Sequence, residues 1–322
     1  MTATDTPRAA SGTSPGTLRD EGRTGFLLGA AAYGLWGVFP IYWTLMEPVG
    51  AIELLAHRIA WSLITMLVLL VALRRTTHLR AILRDRRKVA LLSVAAVVIA
   101  VNWGGFIWGV NNGHVVETSL GYFINPLVTV LMGVLLLGER LRRAQWVAMG
   151  VALVAVLVIS VEYGRLPWIA LLLAFSFGSY GLAKKKAGAE AIESLTFETV
   201  LLFPIAVGYI VWLQATGDGH FTSEGTGHAL LFASTGIVTA IPLLCFGAAA
   251  IRVPMTVLGL LQYVTPICQF VLGIVVFGED MPLGRWLGFV LVWVALAIFT
   301  GEAVRHGRHR RRQLALSAES VA

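Results

Sequence analysis

Apolar residues along this chain gather into long blocks separated by short polar segments, with neither the alternation of a strand nor the narrow stripe of a soluble helix. The blocks cover residues 26–45, 52–73, 89–110, 118–137, 145–161, 167–183, 196–213, 230–250, 257–277 and 286–304. At about 18–22 residues, each is long enough as a helix to cross a hydrocarbon core of about 30 Å. The slightest separation is Glu162-Tyr-Gly-Arg-Leu-Pro167. Lipid offers the backbone no hydrogen bonds, so such blocks must be helical. The pattern predicts an all-α polytopic membrane protein with ten transmembrane helices. Residues 1–22, rich in Thr, Ala, Ser, Gly and Pro, read as a structureless tail, with no apolar segment and cleavage site of a signal peptide ahead of the first span. The segment after Arg305, with Arg308, Arg310, Arg311 and Arg312, reads as a basic solvated tail.

Composition agrees with that reading. Of 322 residues, 57% are hydrophobic and 13% charged, against roughly 25% charged in soluble domains. A net charge of +7 raises the question of nucleic acid, and the placement of the charge answers it. With ten spans and a cytoplasmic N-terminus, 22 of the 25 Lys and Arg residues fall in inside segments. Arg165 and Arg285 fall outside, and Arg58 within a span. This is the positive-inside bias. It puts both termini in the cytoplasm, and it leaves no single basic face for nucleic acid. Cys245 and Cys268 lie in apolar runs without a Cys or His at ligand spacing, so they read as small buried hydrophobes.

The two halves match at an offset of 140 residues: Glu53 with Glu193, Phe106 with Phe246, Pro126 with Pro266, Gly133 with Gly273, Gly138-Glu139 with Gly278-Glu279, and Trp146 with Trp286. Five spans per half is an odd number, so the second copy must enter the membrane in the opposite sense. The Gly138-Glu139 turn then faces the cytoplasm and the Gly278-Glu279 turn faces outside. Inverted repeats of this kind recur in secondary transporters, where two halves exchange conformations. The domain layout is a cytoplasmic tail (1–23), a first five-helix repeat (24–163), a second (164–304) and a basic tail (305–322).

Specific motifs fall on this frame. They include Ala32-Tyr33 with Trp36-Gly37; Glu53-Leu-Leu-Ala-His57-Arg58 with Trp61-Ser62; Asn102-Trp103 with Phe106-Ile-Trp108; and Val110-Asn-Asn112, His114 and Glu117. They continue with Ser119-Leu-Gly-Tyr-Phe-Ile-Asn-Pro126, Gly138-Glu-Arg140, Phe175-Ser-Phe177, Tyr180-Gly-Leu182, Pro242-Leu-Leu-Cys-Phe246 and Trp293-Val-Ala-Leu-Ala-Ile-Phe299. With these the chain resembles the RarD-type branch of the EamA-domain drug/metabolite transporters, labelled chloramphenicol-sensitive proteins. The resemblance implies ten spans in two inverted five-helix repeats, a multi-pass location in a bacterial cytoplasmic (inner) membrane and solute transport.

The polar residues inside the spans are the candidates for chemistry. A charge at the depth of Arg58 costs about 2.5–3.5 kcal/mol on insertion scales, so it needs a partner or a wet cavity. It is either a forked clamp for a carboxylate or a structural ion pair. Glu53 and His57, four residues apart, share a helical face and could couple protons, although Glu53 also suits the first turn of its helix electrostatically. Asn102, Asn125, Gln262 and Gln269 supply amides. Tyr33, Trp36, Trp103, Trp108 and Tyr122 supply aromatic surface for a solute. Pro126 and Pro266 are expected to kink two spans as matched walls of one cavity, or only to bend them for packing. Trp43, Trp146, Trp168 and Trp286 read as interfacial belt residues. His114 and Glu117 mark either an outer gate or a capped helix start.

No Walker A, H-E-x-x-H or G-x-S-x-G motif is present. The expectation is therefore a non-enzymatic secondary transporter without cofactor or metal. It would move a small organic solute by alternating access, as efflux or alternatively as uptake of a metabolite such as an amino acid. A non-transporting membrane subunit and an intramembrane enzyme are the rivals. The expected partners are the solute and the lipid bilayer, no nucleic acid, and conceivably a second copy in a homodimer.

Overall fold

The computed structural model describes residues 15–137, 141–221, 225–250, 252–253, 257 and 260–319. The Gly138-Glu139 turn expected on the cytoplasmic side, Arg140 and the first fourteen residues of the expected tail lie outside the described residues. The helices, in chain order, are α1 (Pro15–Gly37), α2 (Phe39–Thr44), α3 (Ala51–Ala72), α4 (Thr76–Arg84), α5 (Arg86–Asn111) and α6 (Val115–Leu137). The second half adds α7 (Arg143–Tyr163), α8 (Trp168–Ala187), α9 (Ala191–Thr216), α10 (Thr226–Ala250), α11 (Val264–Val275) and α12 (Leu283–Glu319). There is no strand among the described residues. Seven helices (α3, α5, α6, α7, α9, α10 and α12) are long and apolar enough to cross a membrane, and α8 and α11 contain shorter apolar segments.

The helix boundaries follow local chemistry. Asp85 caps α5 by accepting from the N–H groups of Arg87 and Lys88. The slight break at residues 162–167 is made by Gly164, whose φ of 63° ends α7 in a conformation that a side chain would strain. Several bounds differ from the sequence reading. α1 starts at Pro15, ahead of the boundary expected near Gly22, and α12 continues through the basic segment expected to be a tail. Ala, Leu and Arg, which dominate that segment, are strong helix formers. The first apolar block is interrupted at Val38, with Pro40 in the first turn of α2. Pro266 lies in the first turn of α11, where its missing N–H costs nothing, directly after a turn at Gln262-Tyr263 that follows helical residues 260–261. Pro126 is within α6. The segment between α3 and α5 holds α4, whose Ile82 packs with Leu92, Ala187 and Phe197.

The repeat is visible in the helices themselves. α3 and α9, α5 and α10, and α7 and α12 each start 140 residues apart (51/191, 86/226, 143/283). Two of these pairs touch and run antiparallel. Beyond the end of α3, Arg75 bonds Glu190 and Glu193 at the start of α9. At the start of α3, Glu53 bonds His220 beyond the end of α9. Likewise Arg142, ahead of α7, reaches Glu302 near the end of the apolar part of α12 (Leu283–Arg305) at 3.1 Å. Mates that lie antiparallel side by side are the geometry of an inverted repeat. The α7–α12 contact is lined by small residues, with buried Ala148, Ala152 and Ala155 on α7 and Gly288 against Ile159, which lets two backbones approach where lipid gives no hydrophobic drive. The outward side chains of α7, such as Leu153, Leu157 and Val161, are exposed and apolar, as a lipid face requires.

Candidate solute site

The site is built from both repeats near the end of the molecule that holds Glu53. Arg58, in the second turn of α3, is 4% exposed. Its Nε donates to Thr239 Oγ1 of α10 at 3.2 Å. The guanidinium lies 4.0 Å from the ring centroid of Trp103 on α5, 5.2 Å from Trp43 and 6.0 Å from Phe39 on α2. Among the described residues no carboxylate is within ion-pair distance, and Thr239 is the one hydrogen-bond partner. The cation is thus held by aromatic faces and a hydroxyl, with its terminal nitrogens free to donate. Trp43 was expected in an interfacial belt. It is fully buried, because α2 folds inward after the break at Val38. Trp146, Trp168 and Trp286 are each at least 38% exposed.

Asn102 is close by but is occupied. Its amide nitrogen donates to Leu173 O and Ser176 Oγ of α8, both at 3.0 Å, and its oxygen accepts from Tyr122 of α6 at 3.5 Å. It stitches α5, α6 and α8 together beside the aromatic floor, where Tyr122 meets Phe106 and Phe177 edge to face. Tyr33 and Trp36 belong to a neighbouring cluster with Phe246. There α1 joins α11 through Thr265 to Tyr33 O at 2.7 Å and Gln269 to Trp36 O at 3.2 Å. The oxygens of Gln269 and Asn125 are buried without a hydrogen-bond partner. Gln262 is half-buried beside Tyr263. Trp108 stacks on His114 and meets Trp168 at a tilt, and it is not among the rings around Arg58.

Glu53 and His57 are both 4% exposed and do not bond each other. Glu53 accepts from the His220 N–H at 2.7 Å and meets its Nδ1 at 2.8 Å. His57 lies between Phe221 and Phe232, and its Nε2 has no partner.

At the same end, the second repeat grips the first. Glu279 accepts from the N–H groups of Val115 and Val116, so the cap of α6 comes from the other half of the chain. Glu117, fully buried, takes both arms of Arg165 at 2.8 and 3.3 Å and the Ile169 N–H at 3.1 Å. Residues including His114, Tyr163, Arg165, Glu279 and Arg285 surround a cavity of about 440 Å³. Burial pushes the Glu279 carboxyl up to about 7, against its two N–H donors and Arg285, and pushes His114 below its ordinary value. Among the described residues no group of three His, Cys, Asp or Glu could hold a metal ion.

Thr239, Trp43 and Phe39 escaped the sequence reading, because a threonine or aromatic in an apolar run carries no signal of what it faces. The cross-repeat role of Glu279 escaped it too, although its place in the repeated Gly-Glu turn was a pointer.

The EamA-like transporter family matches this chain twice, over residues 23–161 and 166–301. The protein RarD of Streptomyces exfoliatus is 57% identical over 302 residues, covering 94% of this chain and 96% of that protein. The protein RarD of Escherichia coli K12 is 44% identical over 282 residues, covering 88% and 95%. A solved crystal structure at 18% identity superposes with a TM-score of 0.56 over 85% of this chain and 96% of the other, a likeness of fold.

Proposed function

The chain belongs to the EamA-like transporter family, and from that premise we propose that it is a secondary transporter of small organic solutes carrying an anionic group and a flat apolar body. The observation that carries this reading is Arg58: a buried cation with three aromatic ring centroids within 6.0 Å and no carboxylate of its own among the described residues. A solute carboxylate would complete the guanidinium fork, a charge-assisted bond strengthened by the dry surroundings. The rings of Trp43 and Trp103 would flank its apolar part.

Alternating access then follows from the inverted halves. At the Glu53 end, the contacts Glu53–His220, Glu117–Arg165 and Glu279–Val116 all join one repeat to the other. Arg75–Glu193 and Arg142–Glu302 do so at the opposite end. Opening either end requires breaking its own set while the other set holds. With the basic loops inside, both termini lie in the cytoplasm and the Glu53 end faces outward.

The test is counterflow in proteoliposomes with radiolabelled phenylacetate, phenylalanine and chloramphenicol, and the cation tetraphenylphosphonium as contrast. Exchange of the anionic aromatic but not the cation is expected. Exchange of the cation alone, or of none of the four, overturns the reading.

A further inference from the structure

Far from Arg58, α8 and α9 enclose a second ionisable cluster that the solute site does not use. Glu198 is fully buried in α9. Its Oε2 accepts from the Tyr180 hydroxyl at 3.2 Å, and Tyr180 in turn accepts from Lys184 Nζ at 2.6 Å. Lys184 stands 3.4 Å from Glu198 Oε1, and that oxygen accepts no hydrogen bond. A buried carboxylate paired at 3.4 Å with an ammonium whose side chain is 18% exposed, and joined to it a second time through a phenol, has the parts of a proton relay.

Its position is the second observation. Arg58 is the eighth residue of α3 and Glu198 the eighth of α9, and 198 − 58 is the repeat offset of 140. Each lies about 10 Å along its helix. Because α3 and α9 run antiparallel, the two sit near opposite ends of the molecule. When inverted repeats exchange conformations, each takes up the surroundings of its mate. The exchange that withdraws Arg58 from the cavity would bring Glu198 to its edge.

We propose that Glu198, relayed through Tyr180 and Lys184, is a proton-binding site of the transport cycle. This rests on the transporter reading above. The step is one protonation: Glu198 passes from carboxylate to carboxylic acid, Lys184 stays ammonium, and the cluster changes from neutral to singly positive. Glu53, the carboxylate first expected to couple protons, already has both oxygens on His220. Lys186, on α8 beyond Lys184, is exposed. On α9, Glu193 is held by Arg75 and His78 from the flank and face of α4. Arg86, Arg87 and Lys88 at the start of α5 are outside ion-pair distance of Glu198, while His57 and Arg58 of α3 and Glu117 of α6 belong to the opposite end.

Infrared titration of the full chain in lipid, wild type minus Glu198→Gln, tests the site without any solute. A protonated-carboxyl band that appears on acidification and is absent in the variant is expected. Tyr180→Phe should keep the band and move its midpoint to higher pH, since one donor to the carboxylate is lost. In proteoliposomes, Glu198→Gln should lose at least tenfold of pH-gradient-driven phenylacetate accumulation while keeping gradient-free counterflow within twofold. Absence of a Glu198-dependent band, or gradient-driven accumulation unchanged in Glu198→Gln, overturns the proposal. If wild type moves no phenylacetate, the solute reading fails, and the infrared arm still decides the proton site.

Discussion

Replacing Arg58 by Met separates the two roles this buried cation could have. Holding the guanidinium at its depth costs about 2.5–3.5 kcal/mol on insertion scales. The Thr239 bond, at 3.2 Å, returns about 1.5–3 kcal/mol as a hydrogen bond to a charged group. The Trp103 face at 4.0 Å returns about 2 kcal/mol when desolvated. Trp43 and Phe39, at 5.2 and 6.0 Å, add less. The terms nearly cancel, and Met fills a similar apolar volume, so Arg58→Met should change unfolding free energy by no more than about 1–2 kcal/mol. Binding of an anionic solute should respond far more. Losing the charged donors removes about 1.5–3 kcal/mol, or roughly 10–100-fold in affinity. The assays are denaturant unfolding in mixed micelles and calorimetric titration with phenylacetate. Arg58→Met that destabilises by more than about 3 kcal/mol while leaving affinity intact would make Arg58 a structural residue and refute the argument.

Three further outcomes follow from the geometry. A Cβ on Gly236 would stand 2.2 Å from Trp61 O of α3, so Gly236→Ala should force α10 from α3 and lower stability by more than the usual ~1–3 kcal/mol of overpacking, seen as a fall in melting temperature. Removing Arg165, whose side chain is 36% exposed, leaves Glu117 buried with the Ile169 N–H. Arg165→Ala should cost about 2–3 kcal/mol, somewhat under the loss for a fully buried pair, and a double-mutant cycle with Glu117→Gln should show coupling above about 1 kcal/mol. The Glu279 carboxyl, raised to about 7, contributes stability that is full below its ordinary value of 4.5 and lost as pH rises through 7. The opposite holds for His114, lowered below 6.5, whose contribution is lost on acidification. Wild type minus Glu279→Gln, by thermal melting across that range, should therefore fall with rising pH, and a flat difference would count against the desolvated carboxyl.

Much of the architecture was legible from the amino-acid order alone. Block length compared with bilayer thickness gave the helices, the Gly-Glu turns and the offset of 140 gave the repeat, and a charge inside a span made Arg58 conspicuous. These signals are one-dimensional: they depend on composition, spacing and copying, and none needs a knowledge of contacts. The offset even contained the Arg58/Glu198 correspondence, which becomes meaningful only once α3 and α9 are seen to be antiparallel neighbours. What side chains face was a different matter. Helices such as α7 are apolar all round because both lipid and core are apolar, so the pattern carries little information on rotation about the helix axis. Partners are also remote in sequence: Thr239 is 181 residues from Arg58, and His220 is 167 from Glu53. Packing alone turned Trp43 from the membrane surface onto the guanidinium, spent Asn102 on α8, took Glu53 for the loop after α9, and set Glu279 of one repeat on the helix start of the other.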